Sequence, residues 1–188
     1  MNQIILVTGP ARSGKSEWAE NLAIQSQKSV IYVATGVVDK TDPEWVARIA
    51  QHQKRRENLD WTTLEVPVNL AATISHASGN HCLLVDSLGT WVANLLEIDD
   101  SQWQKAEQEL LSCLTRGHSQ VIFVGEETGW GVVPAYPLGR TFRDRLGGLI
   151  RHLGSLANPV YLVTGGHALN LSQLGVPLSN GEKSLGSK

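Results

Sequence analysis

The sequence predicts an α/β fold: a mostly parallel sheet with helices on both faces and a phosphate-binding loop at one end of it. Three observations predict it. Apolar runs recur at residues 4–8, 30–34, 82–86, 121–125 and 160–164, near-continuous in Val, Ile and Leu. Runs without alternation belong to strands buried on both faces, hence to a mostly parallel sheet. Helical stretches separate them, the clearest being 101–116 and 138–156. Strands and helices alternating in this way build a doubly wound sheet. The third observation is Gly9-Pro10-Ala11-Arg12-Ser13-Gly14-Lys15-Ser16, which satisfies G-x-x-x-x-G-K-[ST] in full between a strand and a helical pattern.

That strand–loop–helix context makes the octapeptide a P-loop, the Walker A motif. Glycines let the backbone turn so that its N–H groups point inward at phosphate oxygens. The helix opening at Glu17-Trp18-Ala19-Glu20 adds the partial positive charge of its N-terminus. All eight residues, Gly9 to Ser16, are therefore expected at the nucleotide. Lys15 would bridge the β- and γ-phosphates, and the Ser16 hydroxyl would ligate Mg2+.

The second strand, Val30-Ile31-Tyr32-Val33-Ala34, ends at Thr35 beside the P-loop. Asp42-Pro43-Glu44 then starts a helix: Asp caps, Pro suits the first turn and Glu complements the dipole. The helix should run to about Arg56. At about 100° per residue, Arg48, His52, Arg55 and Arg56 share one face, with Trp45 beside them and Val46, Ile49 and Ala50 on the flank. Arginines around an imidazole would neutralise a phosphate and favour the unprotonated, nucleophilic ring. The same spacing also suits a solvated basic face with an idle histidine.

Residues 61–66 alternate and are expected at a sheet edge. Asp86 closes the run Cys82-Leu83-Leu84-Val85 and is the natural Walker B carboxylate, holding Mg2+ opposite Ser16; an Asp there could also simply cap a helix. Glu126 and Glu127 end another strand and are candidate proton acceptors, unless merely solvated. Ligands collect beyond the carboxyl ends of such strands, where Gly9, Thr35, Asp86 and Glu126 all fall. Trp45 and Trp103 sit on otherwise polar helices and are expected to be exposed, a feature of associating surfaces. Residues 179–188 are small, polar and Gly/Ser-rich and read as a disordered tail, leaving 1–178 as one domain.

Composition excludes several classes. With 41% hydrophobic and 18% charged residues and a formal net charge of −2, there is no electrostatic case for nucleic acid or an anionic membrane. Cys82 and Cys113 lie inside apolar patterns and read as small buried hydrophobes, not a disulfide or a metal pair. No apolar run approaches the length of a membrane span, and no basic leader with a cleavage site opens the chain, so a cytoplasmic protein is expected.

Seven pieces occur in a familiar order between about Ile4 and Leu171. They are the P-loop with Thr8, Tyr32-Val33-Ala34-Thr35, Arg48-Ile49-Ala50-Gln51-His52 and Trp61-Thr62-Thr63-Leu64-Glu65. They continue as Val85-Asp86-Ser87-Leu88-Gly89-Thr90-Trp91, Gly129-Trp130-Gly131-Val132-Val133-Pro134 and Arg140-Thr141-Phe142-Arg143-Asp144. In these the chain resembles the bifunctional adenosylcobinamide kinase / adenosylcobinamide-phosphate guanylyltransferase family. The resemblance implies a RecA-like fold, ATP and GTP as substrates, and phosphorylation of the aminopropanol hydroxyl of adenosylcobinamide. It also implies GMP transfer from GTP to that phosphate through a phosphoramidate on His52. Nucleotide contacts carry over to the P-loop, to Thr35, Gly36 and Val37, to Arg55 and Arg56, and to Glu65 and Asp86, and assembly to a homo-oligomer, a trimer. The chain departs from the family pattern at Glu126 and Thr128, where Asn and Val are usual. It also departs at Ile150-Arg151 (Asn-Gln), at Asn158 (Asp) and at Glu57 (Pro), with one extra residue before Trp61. Without the resemblance, the motifs equally fit a single-activity P-loop kinase for another small alcohol, or a non-enzymatic nucleotide switch.

Overall fold

Seven strands form one sheet in the order β3-β2-β4-β5-β1-β6-β7 in the computed structural model, which describes residues 3–37 and 41–178. The elements run β1 (Gln3–Gly9), α1 (Lys15–Gln25), β2 (Ser29–Ala34), α2 (Pro43–Arg56), β3 (Thr62–Glu65), α3 (Leu70–His76) and β4 (His81–Asp86). They continue as α4 (Leu88–Asn94), α5 (Asp100–Arg116), β5 (Gln120–Glu126), α6 (Pro137–Leu156), β6 (Val160–Thr164), β7 (His167–Asn170) and α7 (Leu171–Leu174). Every described pairing is parallel except β6 with β7. The weak alternating strand lies at an edge as β3, and the P-loop enters from β1, third from the opposite edge.

Successive strand residues face opposite sides, and the sheet divides its apolar side chains between two cores. Ile4, Leu6, Val33, Leu83, Val85, Val121 and Phe123 pack with residues of α3, α4, α5 and α6. Ile5, Val7, Tyr32, Leu84, Ile122 and Val124 pack with Ala19 and Ala23 of α1 on the other face. Helices thus cover both faces, as the continuous apolar runs require.

Local chemistry fixes the helix starts. Asp99 and Gln102 form a capping box on α5, with Gln102 N–H donating to Asp99 Oδ1 at 2.8 Å. Ser87 accepts from Thr90 N–H at the start of α4, and α6 begins with Pro137.

Trp103 corrects one expectation. It is buried at 6% exposure, its ring centroid 5.7 Å from that of Trp91, with the Arg145 guanidinium 5.4 Å above it. Its polar neighbours in sequence face water, whereas Trp103, Leu110 and Leu114 share the buried stripe of α5. The side chain of Trp45 and residues 179–188 lie outside the described residues. Cys82 is buried, Cys113 half-buried, and both are free; burial raises both thiols, Cys113 to about 11.

Candidate nucleotide-binding cleft

The loop after β1 takes a shape that needs its glycines. Gly14 has φ +91 and Arg12 φ +59, so left-handed residues interrupt right-handed ones and turn successive N–H groups inward. A Cβ on Gly9 would meet the Ser13 hydroxyl at 2.6 Å as well as the Val163 carbonyl. Lys15 opens α1 buried at 5% exposure, with Nζ donating to the Pro10 carbonyl at 3.2 Å. The loop therefore wraps its own lysine. The neighbouring strand ties down its root: Glu127 N–H donates to the Gly9 carbonyl at 3.0 Å, and Thr8 Oγ1 donates to Glu127 Oε1 at 2.8 Å.

A cleft enclosing about 810 Å³ of empty space, part of it open to solvent, lies over the carboxyl ends of β2, β3, β4 and β5 beside the start of α1. Lys15, Ser16, Arg56, Glu65, Asp86 and Glu126 line it, together with Gly36. Seven residues singled out in the sequence thus come together. Thr35 does not line the cleft. It is fully buried beneath it, its hydroxyl donating to the Ser87 carbonyl at 2.6 Å and accepting from Ser87 N–H at 2.9 Å. Val37, Ala11 and Arg12 are exposed. Arg55 turns away to α1, reaching Glu17 at 2.6 Å and Glu20 at 3.7 Å. The side chains of Arg48 and His52 lie outside the described residues, although α2 carries both.

Two further residues around the end of α2 had no role readable from the sequence, although Tyr32 falls in one of the family-like pieces. Tyr32 donates its hydroxyl to Asp86 Oδ2 at 3.1 Å and holds the Arg56 guanidinium 3.3 Å above its ring, a cation–π contact. Burial, and then the Asp86 charge, raise its pKa above the ordinary phenol value. Glu20 is buried on α1 at 7% exposure. Burial raises its carboxyl above the ordinary range, against the opposing pull of Arg55 and Arg56. The structure also separates the two adjacent glutamates. Glu126 lines the cleft while accepting from Gly89 N–H at 2.8 Å, whereas Glu127 is engaged by Thr8.

A phosphate loop between β1 and α1, with Asp86 closing β4 nearby, defines a P-loop nucleotide-binding protein of the RecA-like kind. A unique ATP synthase subunit, NeqB from Nanoarcheaum equitans, shares the fold at a TM-score of 0.53 and 12% identity; the match covers 93% of this chain and 54% of that one. The family model for cobinamide kinase / cobinamide phosphate guanyltransferase matches residues 5–171, and the chain belongs to that family. It is 43% identical over 175 residues to the bifunctional adenosylcobalamin biosynthesis protein CobP of Pseudomonas aeruginosa, covering 92% of this chain and 98% of that one. It is 37% identical to the corresponding CobU of Escherichia coli, covering 87% and 96%. The chain is accordingly a transferase with kinase and guanylyltransferase activity in cobalamin biosynthesis.

Proposed function

We propose that one cleft serves both reactions, with the residues in the following roles. The observation that carries this reading is the meeting of Lys15, Ser16 and Asp86 with Arg56, from the basic end of α2, around a single cleft. In the kinase step the aminopropanol oxygen of adenosylcobinamide bonds to the γ-phosphorus of ATP or GTP. The bond from that phosphorus to the β–γ bridging oxygen breaks, and the nucleoside diphosphate leaves. Lys15 and the inward N–H groups of the loop stabilise the charge on the leaving phosphates. Glu126 takes the hydroxyl proton, since it lines the cleft and Glu127 does not.

In the guanylyl step an unprotonated imidazole nitrogen of His52 bonds to the α-phosphorus of GTP, and pyrophosphate leaves. A phosphate oxygen of adenosylcobinamide phosphate then bonds to that phosphorus, the P–N bond breaks, and the imidazole is restored. Arg56 faces the cleft to neutralise phosphate; Arg55 is expected to join it.

The Ser16 hydroxyl and the Asp86 carboxylate, the latter held by Tyr32, form a hard oxygen donor set on one cleft and fit Mg2+. When bound, the ion would supply positive charge against the phosphates. Assembly as a homo-oligomer, a trimer by family resemblance, belongs to the same proposal. So does a cytoplasmic location, consistent with no described helix being long and apolar enough to cross a membrane. Incubation with adenosylcobinamide, ATP and GTP should yield adenosylcobinamide phosphate and then adenosylcobinamide-GDP with pyrophosphate. ATP consumption with a simpler alcohol and none with adenosylcobinamide would replace this reading by the single-activity kinase.

A further inference from the structure

Residues 128–138 follow β5 and carry no charged side chain. Five large apolar residues of this segment stand in water: Trp130 at 64% exposure, Val132 at 95%, Val133 at 59%, Tyr136 at 80% and Leu138 at 55%. Exposed apolar side chains grouped in this way mark a surface that meets a partner. The segment is anchored at both ends. Its root is Glu126 and Glu127: the first lines the cleft, and the second is bonded to Thr8 and to the Gly9 carbonyl. At its far end the Arg140 guanidinium donates to the carbonyls of Pro134 at 3.0 Å and Ala135 at 2.7 Å. The backbone is held while the side chains project.

We infer that this segment is the docking surface for the corrin macrocycle of the acceptor substrate. The inference rests on the proposed kinase and guanylyltransferase reading. The 810 Å³ of the cleft includes open solvent and its enclosed part is only about 120 Å³, below the roughly 300–1,000 Å³ of a small-molecule pocket, so it has no room for a macrocycle beside a nucleotide. A macrocycle bearing its reacting hydroxyl on a flexible arm can send only the arm inside, so the ring must lie on the rim. The rims differ in chemistry. The end of α2 presents Arg56 to the cleft, suited to phosphate. The rim after β5 is apolar and uncharged, suited to the face of a large ring. It begins two residues after Glu126, which lines the cleft and stands opposite Gly9 in the β1–β5 register, so a ring seated near its start lies close to the P-loop end of the cleft.

The test is Val132→Asp, at a position so exposed that the fold loses no packing, alongside Trp130→Ala. KM for adenosylcobinamide in the kinase reaction should rise about tenfold for either variant, the effect of losing one buried apolar side chain. KM for the nucleotide and labelling by α-labelled GTP alone should stay as in the parent chain, and so should the sedimentation coefficient. An unchanged KM for adenosylcobinamide would overturn the inference while leaving the family reading intact. A fall in sedimentation coefficient would overturn it too, assigning the segment to contact between copies of the chain. A parent chain unable to phosphorylate adenosylcobinamide would remove the proposed function itself, and the inference with it.

Discussion

The two walls of the cleft are held in different ways. On the P-loop side the backbone does the work: Gly9 is bonded across to β5, Lys15 is buried, and α1 packs Ala19 and Ala23 into the core. On the α2 side arginines make the attachment. Arg55 spans to Glu17 and Glu20 on α1, and Arg56 lies over Tyr32. A wall fixed by its backbone presents phosphate-binding groups that need no rearrangement, which is the source of electrostatic catalysis. In the other wall, Arg55 is already engaged with two carboxylates. Moving it onto a phosphate gives up the Glu17 pair, 65% exposed on the Glu side and worth about 0–1 kcal/mol, together with the contact to the buried Glu20. Under the roles proposed above, the fixed wall serves both reactions and the α2 wall guanylyl transfer.

Lys15→Ala should produce the largest effect, since it strips the fixed wall of its charge. Losing about 3 kcal/mol of transition-state stabilisation lowers both activities on the order of a hundredfold. Steady-state rates of phosphorylation and guanylyl transfer check this; retention of either near the parent value would break the idea of a shared wall. Tyr32→Phe acts on the join between the walls. Removing one hydrogen bond to Asp86 costs about 1 kcal/mol, so the Mg2+ concentration for half-maximal rate should rise about fivefold. An unchanged Mg2+ requirement would show that the carboxylate does not depend on Tyr32.

The smallest effect concerns stability. Burial raises the Glu20 carboxyl in the folded chain, so the folded state holds this proton more tightly than the unfolded state. Stability from this group is then greatest at low pH and falls as pH rises from the ordinary carboxylate value through the raised one. Glu20→Gln removes the titration, so the variant should gain on the parent chain across that interval in denaturant unfolding at a series of pH values. The opposite trend would show that Arg55 and Arg56 outweigh burial.

How much could be read beforehand follows the same division. The strands β1, β2, β4, β5 and β6 were legible because burial on both faces leaves uninterrupted apolar runs. The P-loop and Asp86 were legible because strand ends and loop glycines are local features. β7 was not: it has four residues in an alternating pattern, and its signal was the Gly165-Gly166 hairpin turn, with φ +57 and +76. Trp103 was misjudged from its polar neighbours, though its spacing to Leu110 and Leu114 marks the helix stripe. The roles of Tyr32 and Glu20 were out of reach, since only tertiary packing brings the end of α2 over β2 and α1. The opposite orientations of Arg55 and Arg56 likewise have no local cause.

The claim that the α2 wall serves guanylyl transfer alone is tested most directly by incubating the parent chain and His52→Ala with α-labelled GTP. The parent chain should carry one acid-labile GMP on the peptide containing His52, discharged on adding adenosylcobinamide phosphate. The Ala variant should carry no label yet phosphorylate adenosylcobinamide at close to the parent rate. A labelled variant, or one that loses both reactions together, would contradict the account.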